Sequence, residues 1–360
     1  MYLAVLGREP ELSMAELEAL FGDVEKMSDN LALFDSKIVP EISRLGGSLK
    51  LAEKILEKPL EFLSKLEEGK ITFGISDYSQ NASKKSANLE AMKLKKILTR
   101  HGRNVRVVLG DSNVLSTATS LHNGLSGKNP KKCELIKVEN DWYKVIGVQD
   151  IDAYARRDQG RPARDAKVGM LPPKLAQILI NLCGWLKHDA VVLDPFCGTG
   201  VLLQEALLMG YLAYGTDVSE RMVEYSKRNL EQFEFDNFKL EVGDATTHQW
   251  SKIDAVACEG YLGKPMSKIP SEIELKEQKQ ECSGIILGFL KNLSTQIKKD
   301  TPVVVAMPAW LREDGKYSRL EILDQIANMG YNVDNKSREG LLYYREGQIV
   351  ARDIIILRKI

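Results

Sequence analysis

One run of ten residues constrains this chain more than any other. Val191-Val192-Leu193-Asp194-Pro195-Phe196-Cys197-Gly198-Thr199-Gly200 passes from an apolar stretch through an acid to a Gly-x-Gly pair, and an apolar helix pattern from Val201 to Leu208 begins at once. The pattern predicts a buried strand, a tight loop and a helix N-terminus, which together let backbone approach a nucleotide-like ligand closely. Glycine suits the loop because a side chain would block both the turn and the approach. The spacing differs from the Gly-x-Gly-x-x-Gly fingerprint of dinucleotide binders.

Two acids follow where such a ligand needs them. Tyr211–Val218 reads as the next strand, and the carboxylate of Asp217 at its end can accept both hydroxyls of a ribose. Leu240-Glu241-Val242-Gly243-Asp244-Ala245 reads as a third strand, whose Asp244 is placed to accept from an adenine amino group. A fourth strand, Ser251 to Glu259, runs toward the same end. Any one of these acids is more often a strand-end cap. Three at successive strand ends, with Gly198 and Gly200 in the first loop, point to a bound cofactor.

With 360 residues, the chain has material for two or three domains. No apolar run nears the roughly 18 residues of a membrane span, and the opening residues lack the pattern of a signal peptide. Cys133, Cys183, Cys197, Cys258 and Cys282 are scattered and pair with no Cys-x-x-Cys motif, which fits a reducing cytoplasm. His101, His122, His188 and His248 lack ligand spacing, so no metal is expected. Net charge is zero, yet residues 80–110 hold eight basic residues against Glu90, a local excess of seven. Such a field attracts a polyanion although the whole chain is neutral.

The first 57 residues alternate short strand and helix patterns. Residues 58–152 form a second module carrying a basic helix over Ala87–His101. There Leu89, Met92, Leu94, Ile97 and Leu98 recur near helical spacing and predict the apolar face. Lys84, Lys85, Lys93, Lys96, Arg100, Arg103 and Arg106 are the candidate phosphate contacts, against the plainer reading of a solvated face. Residues 153–167 read as a charged Gly/Pro-containing linker, with Tyr154, Arg156, Arg157, Arg161 and Arg164 either binding RNA or solvating it. From 168 to 360 apolar strands alternate with helices, as in a doubly wound parallel sheet.

Asp-x-Phe-x-Gly-x-Gly resembles motif I of S-adenosylmethionine (SAM)-dependent methyltransferases. The whole chain resembles the tRNA guanosine N2-methyltransferases that act on position ten, within the THUMP-domain RNA methyltransferases. Met1–Ser13 is similar to their ferredoxin-like module, the basic module to their THUMP domain, Met170–Leu182 to the helix before motif I, and Leu341–Glu346 with Arg352–Lys359 to the closing hairpin. The resemblance implies an α/β fold: a Rossmann-like SAM-dependent methyltransferase domain preceded by α+β ferredoxin-like and THUMP modules. It implies SAM as cofactor, held by Asp194, Phe196, Cys197, Gly198, Thr199, Gly200, Asp217, Val218, Asp244 and Ala245. It implies tRNA as partner, methylation at the exocyclic N2 of a guanosine, and a cytoplasmic enzyme. A small activator subunit, used by some relatives, stays open.

Family members carry Asp-Pro-Pro-Tyr or Asn-Pro-Pro-Tyr after the fourth strand, where acid and carbonyl align the target amine and the tyrosine stacks on the flipped base. Here the segment is Cys258-Glu259-Gly260-Tyr261-Leu262-Gly263. Glu259, Gly260 and Tyr261 are the catalytic candidates; in one register Tyr261 takes the tyrosine's role, in the other Leu262 does. Trp310 is either a base platform or a packing residue. Two other functions compete: a catalytically inactive tRNA-binding protein, and a DNA N6-adenine methyltransferase.

Overall fold

A computed structural model describes residues 1–164, 171–345 and 347–360. Asp165, Met170, Glu346 and the 167/168 boundary, named above for the linker, the helix before the glycine loop and the closing hairpin, lie outside the described residues. The chain divides into two compact units, Met1–Tyr154 and Ala155–Ile360.

In the first unit the elements run β1 (Tyr2–Leu6), α1 (Pro10–Phe21), β2 (Val24–Ser28), β3 (Leu31–Phe34), β4 (Ser48–Ile55), α2 (Pro59–Ser64), β5 (Ile71–Asp77), α3 (Lys84–Arg100), β6 (Val105–Val108), α4 (Thr117–His122), β7 (Lys132–Val138) and β8 (Asp141–Val148). They build one sheet in the order β2-β3-β1-β4-β8-β7-β5-β6. Antiparallel pairing of β4 with β8 joins strands from both sides of residue 57. Pro10 opens α1, and Gly22 ends it. A buried ion pair lies within this sheet. Lys50 Nζ donates to Glu134 Oε1 at 2.6 Å, Leu115 O at 2.8 Å and Ser120 Oγ at 3.0 Å. Glu134 also accepts from Ser76 Oγ on Oε1 and Ser120 Oγ on Oε2.

Helix α3 turns inward only part of the face that the apolar spacing predicts. It buries Ala87, Ala91, Leu94 and Leu98, while Leu89 is 60% and Met92 44% exposed. Two alanines let the helix sit close to the sheet, so small side chains face inward and two large ones remain in water.

Helix α5 (Ile151–Gln159) occupies the first part of the stretch read as linker. Then follow α6 (Pro173–Asn181), β9 (Val191–Asp194), α7 (Val201–Leu208), β10 (Leu212–Asp217), α8 (Glu220–Glu231), β11 (Phe238–Val242), β12 (Ala255–Glu259), α9 (Glu272–Ser294), β13 (Pro302–Leu311), β14 (Tyr317–Ser318), α10 (Leu323–Asn328), β15 (Tyr331–Val333), α11 (Asn335–Glu339), β16 (Leu342–Tyr343) and β17 (Val350–Lys359). The sheet order is β11-β10-β9-β12-β13-β17-β15, with β14 on β13 and β16 on β17. Strands β9 to β13 are mutually parallel; β17 is antiparallel to β13.

Val303, Val304, Val305 and Ala306 are all fully buried, the continuous apolar run of a strand covered on both faces. Val303 and Val305 pack with Ile286, Phe289 and Leu290 of α9. Each large apolar side chain sealed this way contributes about 1.5–3 kcal/mol. The chain leaves β9 toward β10 and returns on its other side as β12, so order reverses beside β9. Ligands of open α/β sheets bind at the carboxyl ends of strands next to such a reversal. Among the described residues no helix is long and apolar enough to cross a membrane.

Candidate active site

The loop after β9 is shaped by its own acids. Asp194 is buried and accepts Phe196 N–H on Oδ1 at 3.1 Å; burial pushes its carboxyl well above the usual carboxylate range. Gly198 and Gly200 have φ of 51° and 81°, the left-handed region that side chains avoid. A Cβ on Gly200 would stand 2.9 Å from Ser226 Oγ, whereas one on Gly198 would meet only Phe196 O at 3.9 Å and project into open space. Gly200 is thus fixed by packing behind the loop, and Gly198 keeps its front clear. Cys197 and Thr199 are buried: the Cys197 thiol receives Ser226 Oγ–H at 3.7 Å, and burial raises its pKa. Phe196 sets its ring edge-on to Phe289.

Asp217 ends β10 and grips the loop. Its Oδ2 accepts Gly198 N–H at 3.0 Å and its Oδ1 accepts Ser219 N–H at 2.9 Å. Burial raises its pKa and these two bonds oppose the rise. Each oxygen keeps a lone pair for an outside hydroxyl. Val218 beside it is 74% exposed and Val242 50% exposed, an apolar surface at the strand ends. Asp244 is exposed; only its Oδ1 is engaged, by Thr246 N and Oγ1, and the backbone bond lowers its pKa. Ala245 is buried, and its carbonyl accepts from Asn292 Nδ2 at 3.1 Å.

On the other side of β9, β12 pairs Val256 with Leu193 and carries Glu259 beyond it to the same sheet edge. The Glu259 side chain is 16% exposed and Oε1 accepts Arg352 Nε–H of β17 at 2.7 Å. Burial raises its pKa and the Arg352 guanidinium pulls it back. Among the described residues Oε2 accepts no bond, and it is not sealed from solvent. Gly260 N–H is bonded to Ala306 O at 2.9 Å. Tyr261 is half-buried and donates its hydroxyl to Glu281 Oε1 of α9 at 3.0 Å; burial, then Glu281, pushes its pKa up to about 12. Trp310 is fully buried, which favours packing over a base platform.

Sequence reasoning missed two contributors. Arg352 was quoted only as part of a hairpin. Asn229 of α8 was not singled out, yet its Nδ2 donates to Thr199 O in the glycine loop and to Ala163 O, while its Oδ1 accepts Ala163 N–H. An asparagine on an otherwise polar helix face gives no signal, because the backbone groups it meets come from two distant segments. Among the described residues no group of three or more His, Cys, Asp or Glu is placed to hold a metal.

In the first unit Lys85, Lys93, Lys96 and Arg100 are exposed and carry no bond or ion pair. Their offsets of 8, 3 and 4 put them on one stripe of α3, about 22 Å long, which also holds Leu89 and Met92. Lys84 lies 3.7 Å from Asp111. Arg103 donates to Leu66 O and Glu67 O, and Arg106 to Asn123 Oδ1, so both are already engaged. Of the arginines in the stretch read as linker, Arg157 pairs with buried Glu205 at 2.8 Å and Arg161 is itself buried, while Arg156 and Arg164 are exposed. Tyr154 is buried.

A methyltransferase-domain family model matches residues 186–338, and a DNA methylase model matches residues 77–228. A tRNA (guanine(10)-N2)-dimethyltransferase of Methanothermobacter thermautotrophicus is 40% identical over 144 residues, 40% of each chain. The match thus spans about 40% of that curated relative's length. One of the same name from Methanocaldococcus jannaschii is 26% identical over 63% of this chain and 69% of its own. A "Probable tRNA (guanine(10)-N2)-dimethyltransferase" of Methanothermococcus thermolithotrophicus is 45% identical over 37% of this chain and 78% of its own.

Proposed function

Since the chain belongs to the tRNA (guanine(10)-N2)-dimethyltransferase family, we propose that it methylates tRNA with SAM at the exocyclic N2 of a guanosine. One observation carries the reading. The loop that Asp217 grips and the half-open carboxylate of Glu259 flank the same strand, β9, at its carboxyl end.

The residues fit the cofactor. Asp217 has lone pairs for both ribose hydroxyls, Val218 and Val242 offer a flat apolar surface to an adenine, and Asp244 Oδ2 can accept its amino group. Gly198 leaves room in front of the loop. When bound, SAM supplies a methyl carbon on a positive sulfur that departs with the bonding pair. The chain's own part is to present the amine. Glu259 Oε2 accepts one N–H, turns the nitrogen lone pair outward, and takes the proton the nitrogen sheds as it gains carbon. Tyr261, tied to Glu281, forms the wall beside the base.

The first unit is proposed to hold the tRNA, with residues 1–57 as the ferredoxin-like module and 58–152 as the THUMP-like one. The unpaired cations along α3 support this, since such contacts fix a nucleic acid's position without reading its sequence. A cytoplasmic location goes with this substrate. Transfer of labelled methyl from SAM to unmodified tRNA, followed by nucleoside analysis, tests the reading. N2-methylated guanosine is the expected product. A labelled N6-methyladenine in DNA, or no label despite bound SAM and tRNA, overturns it.

A further inference from the structure

A glutamate has one more torsion to fix than an aspartate, and an acceptor misplaced by about an ångström can cost on the order of 10²-fold in rate. The structure fixes that torsion from a strand remote in sequence. Arg352 is 6% exposed in its side chain, and its Nε–H meets Glu259 Oε1 at 2.7 Å. Its Nη1 donates to Gln348 Oε1 at 3.5 Å. The next residue, Asp353, receives Arg319 Nε–H at 2.7 Å, so β17 is tied at two successive side chains. The contact uses one carboxylate oxygen and leaves the other open.

We propose that Arg352 is a positioning residue for methyl transfer: by holding Oε1 of Glu259 it aims Oε2 at the amine of the incoming base, without touching the reacting atoms. The inference rests on the reading of Glu259 as the amine's acceptor. The titratable groups facing this carboxylate are Arg352 from β17 and Asp194 from β9, whose own pKa Glu259 helps to raise; the neighbouring Cys258 is a neutral thiol. Arg352 therefore also opposes the rise that burial imposes on the acid.

A test independent of turnover titrates the full chain labelled with δ-carbon-13 glutamate. The Glu259 signal is assigned by its loss in Glu259→Gln. In Arg352→Gln its midpoint moves up by about one unit or more, and the acidic limb of the single-turnover rate profile moves with it while SAM affinity holds within about twofold. A midpoint and limb that stay in place, or a loss confined to SAM affinity, overturn the proposal. Should Arg352→Gln fail to fold, Arg352→Lys decides, since it keeps the charge but not the fixed fork. Transfer lowered about tenfold or more at unchanged SAM affinity supports the proposal; unchanged transfer overturns it. Glu259→Gln separates the layers. If that variant transfers at the full rate, the reading of Glu259 falls; if it is silent while both arginine variants behave as wild type, only the role of Arg352 falls.

Discussion

Two of the buried acid–base pairs, one taken from each unit, are built to opposite rules. In Lys50–Glu134 the ammonium meets three acceptors and both carboxylate oxygens are engaged. In Arg352–Glu259 one oxygen is held and the other is left open at the sheet edge. A buried charge offsets its desolvation only through a full set of partners, so the first pair is a means of holding β4, β5, β7 and α4 in register. The second pair forgoes that stabilisation. Under the proposed function, that open oxygen is the acceptor for the amine.

The sharpest way to break this contrast is to neutralise one acid in each pair. Glu259→Gln is expected to lower the single-turnover rate by about 10²–10⁴-fold, the worth of a placed base, with the fold kept. A rate within threefold of wild type would put both pairs in the structural class. Glu134→Gln should do the reverse, costing about 3–5 kcal/mol in urea unfolding because Lys50 is left buried and uncompensated. The rate per folded molecule should stay level, and adding Lys50→Met should recover most of the stability. A large rate loss in folded Glu134→Gln would blur the distinction.

Asp194 offers the finest test. Its folded-state pKa is raised, so the folded chain binds the proton more tightly than the unfolded one. That contribution is complete below the unfolded value of about 3.9 and is lost as pH rises through the folded pKa. Asp194→Asn keeps an acceptor for Phe196 N–H and removes the charge. Its melting temperature should therefore exceed that of wild type at pH 8, with the gap closing toward pH 4. A gap that widens on acidification would contradict the burial argument.

What was legible in the sequence is what neighbours in sequence decide. Asp194, Gly198, Gly200 and Asp217 could be read because a strand end, a loop and a helix start lie within one continuous stretch. Helix α9 goes unread in the sequence, although Ser271 and Glu274 bond reciprocally at its cap; its charged first half hides the period that follows. Helix α5 was similarly masked by its arginines and the Gly160-Arg161-Pro162 beyond, although Asp150 Oδ1 accepts Ala153 N–H at its start. On α3 the reading holds for Leu94 and Leu98 and misses at Leu89 and Met92, because inward position was decided by how closely Ala87 and Ala91 approach the sheet. The Glu259–Arg352 contact joins residues 93 apart and leaves no local trace. Long-range pairing is where one sequence, read alone, falls silent.

The pairing of β4 with β8 has a consequence during synthesis. Once Ile55 has been made, its strand must wait for Val148, about ninety residues later, before that edge is covered. At roughly 5–20 residues per second the interval lasts about 5–20 s. Throughout it a strand with a largely apolar run, Leu49-Lys50-Leu51-Ala52, presents unpaired amides and carbonyls on the nascent chain. The first unit therefore closes late and all at once, and a ribosome stalled between the two strands would carry an open edge that neighbouring chains can join.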